Sequence, residues 1–181
     1  FKINEDVVIP LDQLACYTRG IEKMNIEQSI KNKLQMLNAL NEFFSPTGTR
    51  VKACCDELDD ESVAEVQLKI DSALKLISET QQRWQYILEH LDAEPDSKAV
   101  EFGFDENASQ TILDVLLKRD YRISYKTEIE AQIKQIFAGR TLEKVHQQLD
   151  KIHQDVLSSR LFIALHMHAG DGNVHTNIPV N

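Results

Sequence analysis

Three histidines and one asparagine near the end of the chain have the residue types and spacing of a metal or substrate site. His166 and His168 lie two residues apart, and so do His175 and Asn177. From residue 161 onwards, large apolar residues recur at every second position, which predicts a β-strand. Because side chains alternate between the two faces of a strand, the two members of each pair are expected on one face. Imidazole is a preferred ligand of zinc and similar divalent metals.

The dipeptide Asp171-Gly172 lies between two such strand patterns and predicts how the strands pair. Asp-Gly is favoured in a two-residue type I′ turn, which would fold the strands into a hairpin. This turn opposes two pairs of residues: His168 with His175, and His166 with Asn177. Directly opposed Cβ atoms lie about 4.5 to 5.5 Å apart, so two imidazoles could share one cation.

Two other interpretations of the hairpin stay open on the residues alone. The histidines could be half-buried strand residues that hydrogen-bond to the backbone, while Gly170 and Gly172 serve only the turn. The three histidines could also belong to a metal-dependent hydrolase. That enzyme needs acidic ligands and an activating base, and the hairpin encodes neither.

The chain before the hairpin is predicted to be mostly helical. Residues 1–9 end in a β-branched run before Pro10, which predicts a short N-terminal strand. Apolar residues then recur with a period of about 3.6 as far as Phe44, as one long helix or two joined near residues 20–25. A second long helix is predicted over residues 59–91, because acidic residues open it and an apolar stripe runs along it.

Shorter elements are predicted between the second helix and the hairpin. The acidic segment 92–109, which contains proline and glycine, predicts an exposed loop. Helices are predicted over residues 112–117, 125–137 and 141–158. The predicted fold class is therefore mostly α (α+β): long helices form a bundle-like block, with a short N-terminal strand and a C-terminal β-hairpin.

Composition and charge narrow the classes of partner. The chain has 181 residues, which fits one domain, and a formal net charge of −9 with no basic run. Nucleic acid and anionic membranes are therefore poor partners. No apolar stretch of about 18 residues predicts a membrane span, and no signal peptide is recognisable. Cys16, Cys54 and Cys55 lack disulfide-framework or zinc-site spacing, so we expect a cytoplasmic protein.

Two segments carry motifs of a known family. Residues 168–177, HAGDGNVHTN, contain every fixed residue of an H-x-G-D-G-N-x-H signature, and residues 2–10, KINEDVVIP, are similar to a K-x-x-E-D-V-x-V-P strand. In this order the motifs resemble the C-terminal domain of FAD-linked oxidases, which include D-lactate dehydrogenases, glycolate oxidase subunits and D-2-hydroxyglutarate dehydrogenase. The resemblance implies a flavin-dependent oxidoreductase that acts on a D-2-hydroxy acid.

The resemblance also implies roles for individual residues. His168 and His175 would bind a divalent metal, expected to be zinc, which holds the oxygens of a small 2-hydroxy acid. Asn177 and Lys2 would contact this substrate, and His166 would be accessory. Four residues would lie near the cofactor: Gly170, Asp171, Gly172 and Asn173. The acidic ligand and the histidine base of the family come from a Glu-His pair downstream of the signature, which this chain does not contain, so we expect no catalytic residue in it.

The resemblance covers only the two ends of what we interpret as one partial domain. Residues 1–25 would be the opening strand and helix, residues 159–181 the signature hairpin, and residues 26–158 a helical insertion. This block is similar to the insertion of very large bacterial FAD/FMN-containing dehydrogenases, but it lacks the cysteine spacing of an iron–sulfur cluster. We expect the flavin-binding domain and any iron–sulfur segments to lie elsewhere in a longer polypeptide, since the chain begins at Phe1 and ends at Asn181 within a strand pattern.

A non-catalytic helical docking module is the alternative function. It would bind its partner through apolar helical faces, and the hairpin would be structural. A contiguous exposed apolar patch larger than a few hundred Å² would favour this alternative.

Overall fold

The computed structural model describes residues 2–45, 49–55, 60–106, 109–139, 142–158, 164–168 and 173–179. The elements in chain order are β1 (Lys2–Val8), a 3₁₀ turn (Leu11–Gln13), α1 (Leu14–Phe44), α2 (Thr49–Lys52), α3 (Asp60–Glu89), α4 (Ser97–Glu101), α5 (Ile112–Lys118), a π-helical turn (Lys126–Glu130), α6 (Ala131–Ile136), α7 (Glu143–Ser158), β2 (Ala164–His168) and β3 (Asn173–Pro179).

Helix α1 is one uninterrupted element, so the alternative of two helices joined near residues 20–25 is wrong. Its predicted core face is largely buried: Ile21, Ile30, Leu34, Leu37 and Phe44. The helix closes at Ser45, whose N–H donates to the Asn41 carbonyl oxygen across 2.9 Å. Because α1 spans the predicted boundary between residues 25 and 26, the opening helix and the helical block are continuous.

The apolar stripe predicted for the second long helix forms the centre of the core. The predicted stripe residues that are buried are Val66, Ile70, Ile77, Trp84, Ile87 and Leu91. Helices α3 and α7 both pack against α1. A face with apolar residues every three or four positions buries itself in this way against neighbouring helices. The prediction that this block is mostly helical is therefore confirmed.

The segment 92–109 is not the exposed loop that its acidic residues predict. It contains the short helix α4, whose first turn is capped by the Asp96 carboxylate, which accepts from the Ala99 N–H across 2.9 Å. Ala99 and Phe104 are buried, and the Phe104 ring stacks on Tyr121 with 4.2 Å between ring centroids. A capping aspartate followed by two inward-facing apolar residues outweighs the polar composition of the segment.

The β part of the predicted fold class is wrong in its architecture. A separate N-terminal strand and a two-stranded hairpin were expected, but β1 and β2 both pair antiparallel with β3, in the order β1-β3-β2. A third strand makes this arrangement more stable than an isolated hairpin and covers one of its free edges. Between residues 9 and 158, the described part of the chain is helix and turn with no strand, so the mostly helical prediction holds.

The predicted register of the hairpin is also wrong, by two residues. The Cα partner of His175 is His166, and His168 is opposite Asn173. This register is not the one that a two-residue turn at Asp171-Gly172 would give. Three residues of the signature, Gly170, Asp171 and Gly172, lie outside the described residues. A shift of two keeps every residue on its predicted face, because side chains alternate with a period of two.

Candidate functional site

One row of residues crosses all three strands of the sheet. Asp6 in β1 is the Cα partner of His175 in β3, and His175 is also the Cα partner of His166 in β2. Adjacent strands lie about 4.8 Å apart, so the row spans about 10 Å of one face. Two imidazoles and a carboxylate form the ligand set of many zinc and non-haem iron sites.

Polar residues also occupy neighbouring rows of the same face. On one side the partners across the sheet are Asn4, Asn177 and Ala164, and on the other they are Val8, Asn173 and His168. Asn177 is thus one row away from the row of His175. The face combines imidazole, carboxamide and carboxylate residues, which can bind a cation and hydrogen-bond an oxygen-rich ligand.

The structure changes the relation between the two predicted metal ligands. His168 and His175 are diagonal neighbours rather than opposed residues. Diagonal cross-strand positions are about 7 to 8 Å apart, still within reach of long side chains. His166, predicted only as accessory, is the directly opposed partner of His175.

Lys2 lies further from the histidines than the other predicted site residues. It pairs with Pro179 and is four residues from Asp6 along β1. At about 3.3 Å per residue this separation is roughly 13 Å, so Lys2 is at the far end of the same face.

Asp6 was not among the residues predicted for the site. It belongs to the N-terminal motif, but its proximity to His175 depends on the pairing of β1 with β3. The alternation of the K-x-x-E-D-V-x-V-P strand could have placed Asp6 on one face with Lys2. Only long-range strand pairing could have joined that face to the histidines.

The helical block supplies no comparable cluster. Among the side chains that the structure describes, no group of three or more His, Cys, Asp or Glu residues is arranged to hold a metal ion. On α7, His153 packs against the ring of Tyr125 with 4.7 Å between ring centroids. The Tyr125 phenol is largely removed from water, and this burial raises its pKa. His153 is therefore a packing residue.

The cysteines are free, and the helices do not have the character of membrane spans in the described part of the chain. Cys16, Cys54 and Cys55 are all free thiols, so the adjacent pair forms no disulfide. Burial raises the pKa of the Cys54 thiol, which disfavours the reactive thiolate. Within the described residues, no helix has both the length and the hydrophobicity needed to cross a bilayer.

Comparisons of the chain with family models, with curated proteins and with solved structures find no match. The resemblance to FAD-linked oxidases therefore rests on the two terminal motifs, and the strands that carry these motifs are neighbours in the sheet.

Proposed function

We propose that this chain is part of a flavin-dependent oxidoreductase that acts on a D-2-hydroxy acid, and that its sheet contributes part of the metal and substrate site. The observation that carries the proposal is the pairing of His175 with His166 and with Asp6 across the sheet. This register brings residues of both motifs, which are remote in sequence, into one row.

The donor set of this row fits a divalent metal such as zinc. His168 and His175 are the ligands that the resemblance implies, and His166 and Asp6 are within cross-strand reach of His175. Zinc in enzymes commonly has three protein ligands and an open position for water or substrate. Zinc bound here would polarise the hydroxyl and carboxylate oxygens of a 2-hydroxy acid.

The remaining polar residues of the face have roles in orienting the substrate. Asn177 can donate a hydrogen bond to a substrate oxygen from the row next to His175. Lys2, for which the resemblance implies a substrate contact, lies roughly 13 Å from Asp6 along β1. Asn173 extends the polar face towards the signature loop. Positioning of this kind accelerates a reaction only when the other reactant is also held in place.

The other parts of the enzyme lie outside this chain in the proposal. FAD would be bound mainly by another domain of a longer cytoplasmic polypeptide and would supply the hydride acceptor, and a histidine elsewhere would take the hydroxyl proton. Any iron–sulfur segments belong to that same polypeptide. The chain alone therefore binds metal and substrate oxygens but does not turn over a substrate.

The test is purification of the full-length parent protein, followed by measurement of flavin absorbance and of reduction by a panel of D-2-hydroxy acids. We expect bound flavin, turnover of at least one hydroxy acid, and loss of turnover with flavin retained in His175→Ala. The matched control is His153→Ala on α7, which removes a histidine from the helical block and keeps turnover.

Two results would overturn the proposal. The first is a parent protein with neither flavin absorbance nor hydroxy-acid reduction. The second is undiminished turnover in His175→Ala, which would favour the alternative in which the chain is a helical docking module and the sheet is structural.

A further inference from the structure

A cavity with a basic and apolar lining lies between the middle of α1 and the segment that ends α5 and leads to the π-helical turn. Its volume is about 320 Å³. Isoleucines of both segments and Leu116 form the apolar part, and Tyr121 adds an aromatic ring. A volume of this size lies at the lower end of the range of small-molecule sites, about 300 to 1,000 Å³.

The charged residues of this cavity are all positive. Lys33, Arg119 and Arg122 line it, and no aspartate or glutamate does, although the chain carries 29 acidic and 20 basic residues. Within the described part of the chain, neither Arg119 nor Arg122 forms an ion pair. Three cations around one cavity repel one another, and a bound anion relieves that repulsion.

Two carboxylates lie close in sequence to residues of this cavity. Glu128 accepts hydrogen bonds from Arg83, from the Trp84 indole and from the Ser124 backbone. Asp120, which lies between Arg119 and Tyr121 in sequence, lines a separate cavity together with Phe104. Neither carboxylate is part of the lining of the basic cavity.

Local structure fixes the ammonium group of Lys33 and the backbone of Arg119. The ammonium group of Lys33 donates to the hydroxyl oxygen of Ser29 across 2.7 Å and to its carbonyl oxygen across 3.4 Å. Arg119 closes α5 in the left-handed conformation, with φ 65° and ψ 22°. Glycine is the usual residue there, and a larger residue costs about 1 kcal/mol. Strained residues of this kind are concentrated at functional sites.

We propose that this cavity binds a small organic dianion with an apolar body, for which an aryl phosphate is the simplest probe. The guanidinium groups of Arg119 and Arg122 match the geometry of phosphate and carboxylate oxygens. The ammonium group of Lys33 adds a third positive charge, and the isoleucines and Tyr121 remove the apolar body from water. This site is independent of the proposed metal and flavin chemistry.

The test is titration of the whole chain with phenyl phosphate, followed by calorimetry and by amide chemical shifts. We expect saturable 1:1 binding that weakens with added salt. Inorganic phosphate lacks the apolar body and benzyl alcohol lacks the charge, so each should bind at least about tenfold more weakly. Benzoate, a monoanion with the same ring, should bind with intermediate affinity.

Arg119→Gly is the most informative variant, because glycine adopts a φ of 65° without strain and the end of α5 is retained. We expect it to weaken phenyl phosphate binding about tenfold, the scale of one charge-assisted hydrogen bond. Arg122→Gln should have a similar effect. The matched control is Lys75→Gln, which removes one positive charge from an exposed pair with Glu79 on α3 and leaves binding unchanged.

Three results would overturn the inference. These are no saturable binding of phenyl phosphate, equal affinity for inorganic phosphate, and equal weakening by Lys75→Gln and Arg119→Gly. The last result would assign the interaction to net charge alone. Thermal unfolding of each variant verifies that the fold is kept.

Discussion

Glu128 lies against Trp84 and connects α3 to the π-helical turn. The indole N–H of the fully buried Trp84 donates to Glu128 Oε2 across 3.2 Å, and Arg83 donates to the same oxygen. The other carboxylate oxygen accepts from the Ser124 backbone N–H. One side chain thus satisfies donors from two segments that are far apart in sequence.

Replacing Glu128 by alanine should destabilise the protein more than other losses of a surface carboxylate. The variant leaves the buried Trp84 N–H without an acceptor, at a cost of about 1 to 3 kcal/mol in the free energy of unfolding. Urea denaturation followed by fluorescence measures this directly, since Trp84 is the only tryptophan. The control is Glu79→Ala, whose exposed partner Lys75 is 3.9 Å away and contributes at most about 0.5 kcal/mol. Equal effects of the two variants would contradict the role given to Glu128.

Asp114 should make part of the stability depend on acidic pH. Arg19 donates to it across 2.6 Å and the Thr111 hydroxyl across 2.7 Å, and these contacts hold the pKa of Asp114 well below its ordinary range. A depressed carboxyl pKa contributes stability that is present above about pH 4 and is lost as the pH falls below it. We expect the wild type to have a larger free energy of unfolding than Asp114→Asn at pH 7. This difference should shrink as the pH is lowered to 2. A difference that does not change with pH would contradict this expectation.

Tyr86 should make part of the stability depend on alkaline pH, and this part is lost as the pH rises. Burial, followed by a hydrogen bond to Asp96, raises its pKa to about 12. The fold therefore favours the protonated phenol, and this stability is present below about pH 10 and is lost as the pH rises towards 12. Absorbance titration should show delayed ionisation, and Tyr86→Phe should remove that part of the tyrosine titration. Ionisation of Tyr86 near its ordinary pKa would refute the prediction.

Disulfide cross-linking can test the register of the sheet. Met167 is the Cα partner of Val174, whereas the register expected from the Asp-Gly turn pairs Met167 with Thr176. In a background without the native cysteines, Met167→Cys with Val174→Cys should oxidise readily, because opposed Cα atoms lie about 4.5 to 5.5 Å apart. Met167→Cys with Thr176→Cys should oxidise poorly. If the pair at 167 and 176 oxidised more efficiently than the pair at 167 and 174, the register expected from the two-residue turn would be correct.

Asp6 and its neighbour Glu5 allow a matched test of the metal site. Asp6 is in the row of His175, whereas Glu5 pairs with Thr176 and lies on the opposite face. Asp6→Asn should weaken zinc binding about tenfold or more, and Glu5→Gln, with the same charge change, should not. Competition with a coloured chelator measures both affinities. Equal effects would show that the carboxylate acts through net charge and not as a ligand.

The long helices could be predicted from the sequence because the helical spacing of apolar residues marks the face that is buried in the fold. The stripe from Val66 to Leu91 points to one side of any helix that it forms, and that side packs on α1. The helix in segment 92–109 was not predicted because the residue that caps it, Asp96, also adds to the acidic composition of the segment. Acidic composition favours a loop. Asp96 is recognisable as a helix cap only together with the apolar residues that follow it.

The candidate site was only partly predictable for a different reason. Alternation placed His166, His168, His175 and Asn177 on one face, and this assignment survives a register shift of two. The partner of His175 depends on loop length, and Asp6 enters only through pairing between the two ends of the chain. The basic cavity had no signal in the sequence, since Arg119 occupies a left-handed position where glycine would be expected.

The strand order β1-β3-β2 has a consequence for the size of the helical block. Strands β1 and β2 run in the same direction with β3 between them, so all the helices form one crossover connection. The end of β1 and the start of β2 are separated by two strand spacings and about four residues along the strands, which is roughly 16 Å. A crossover needs only about a dozen residues. The helices could therefore be exchanged for a much shorter tether while the three strands keep their neighbours, which makes this part of the chain a natural place for grafting.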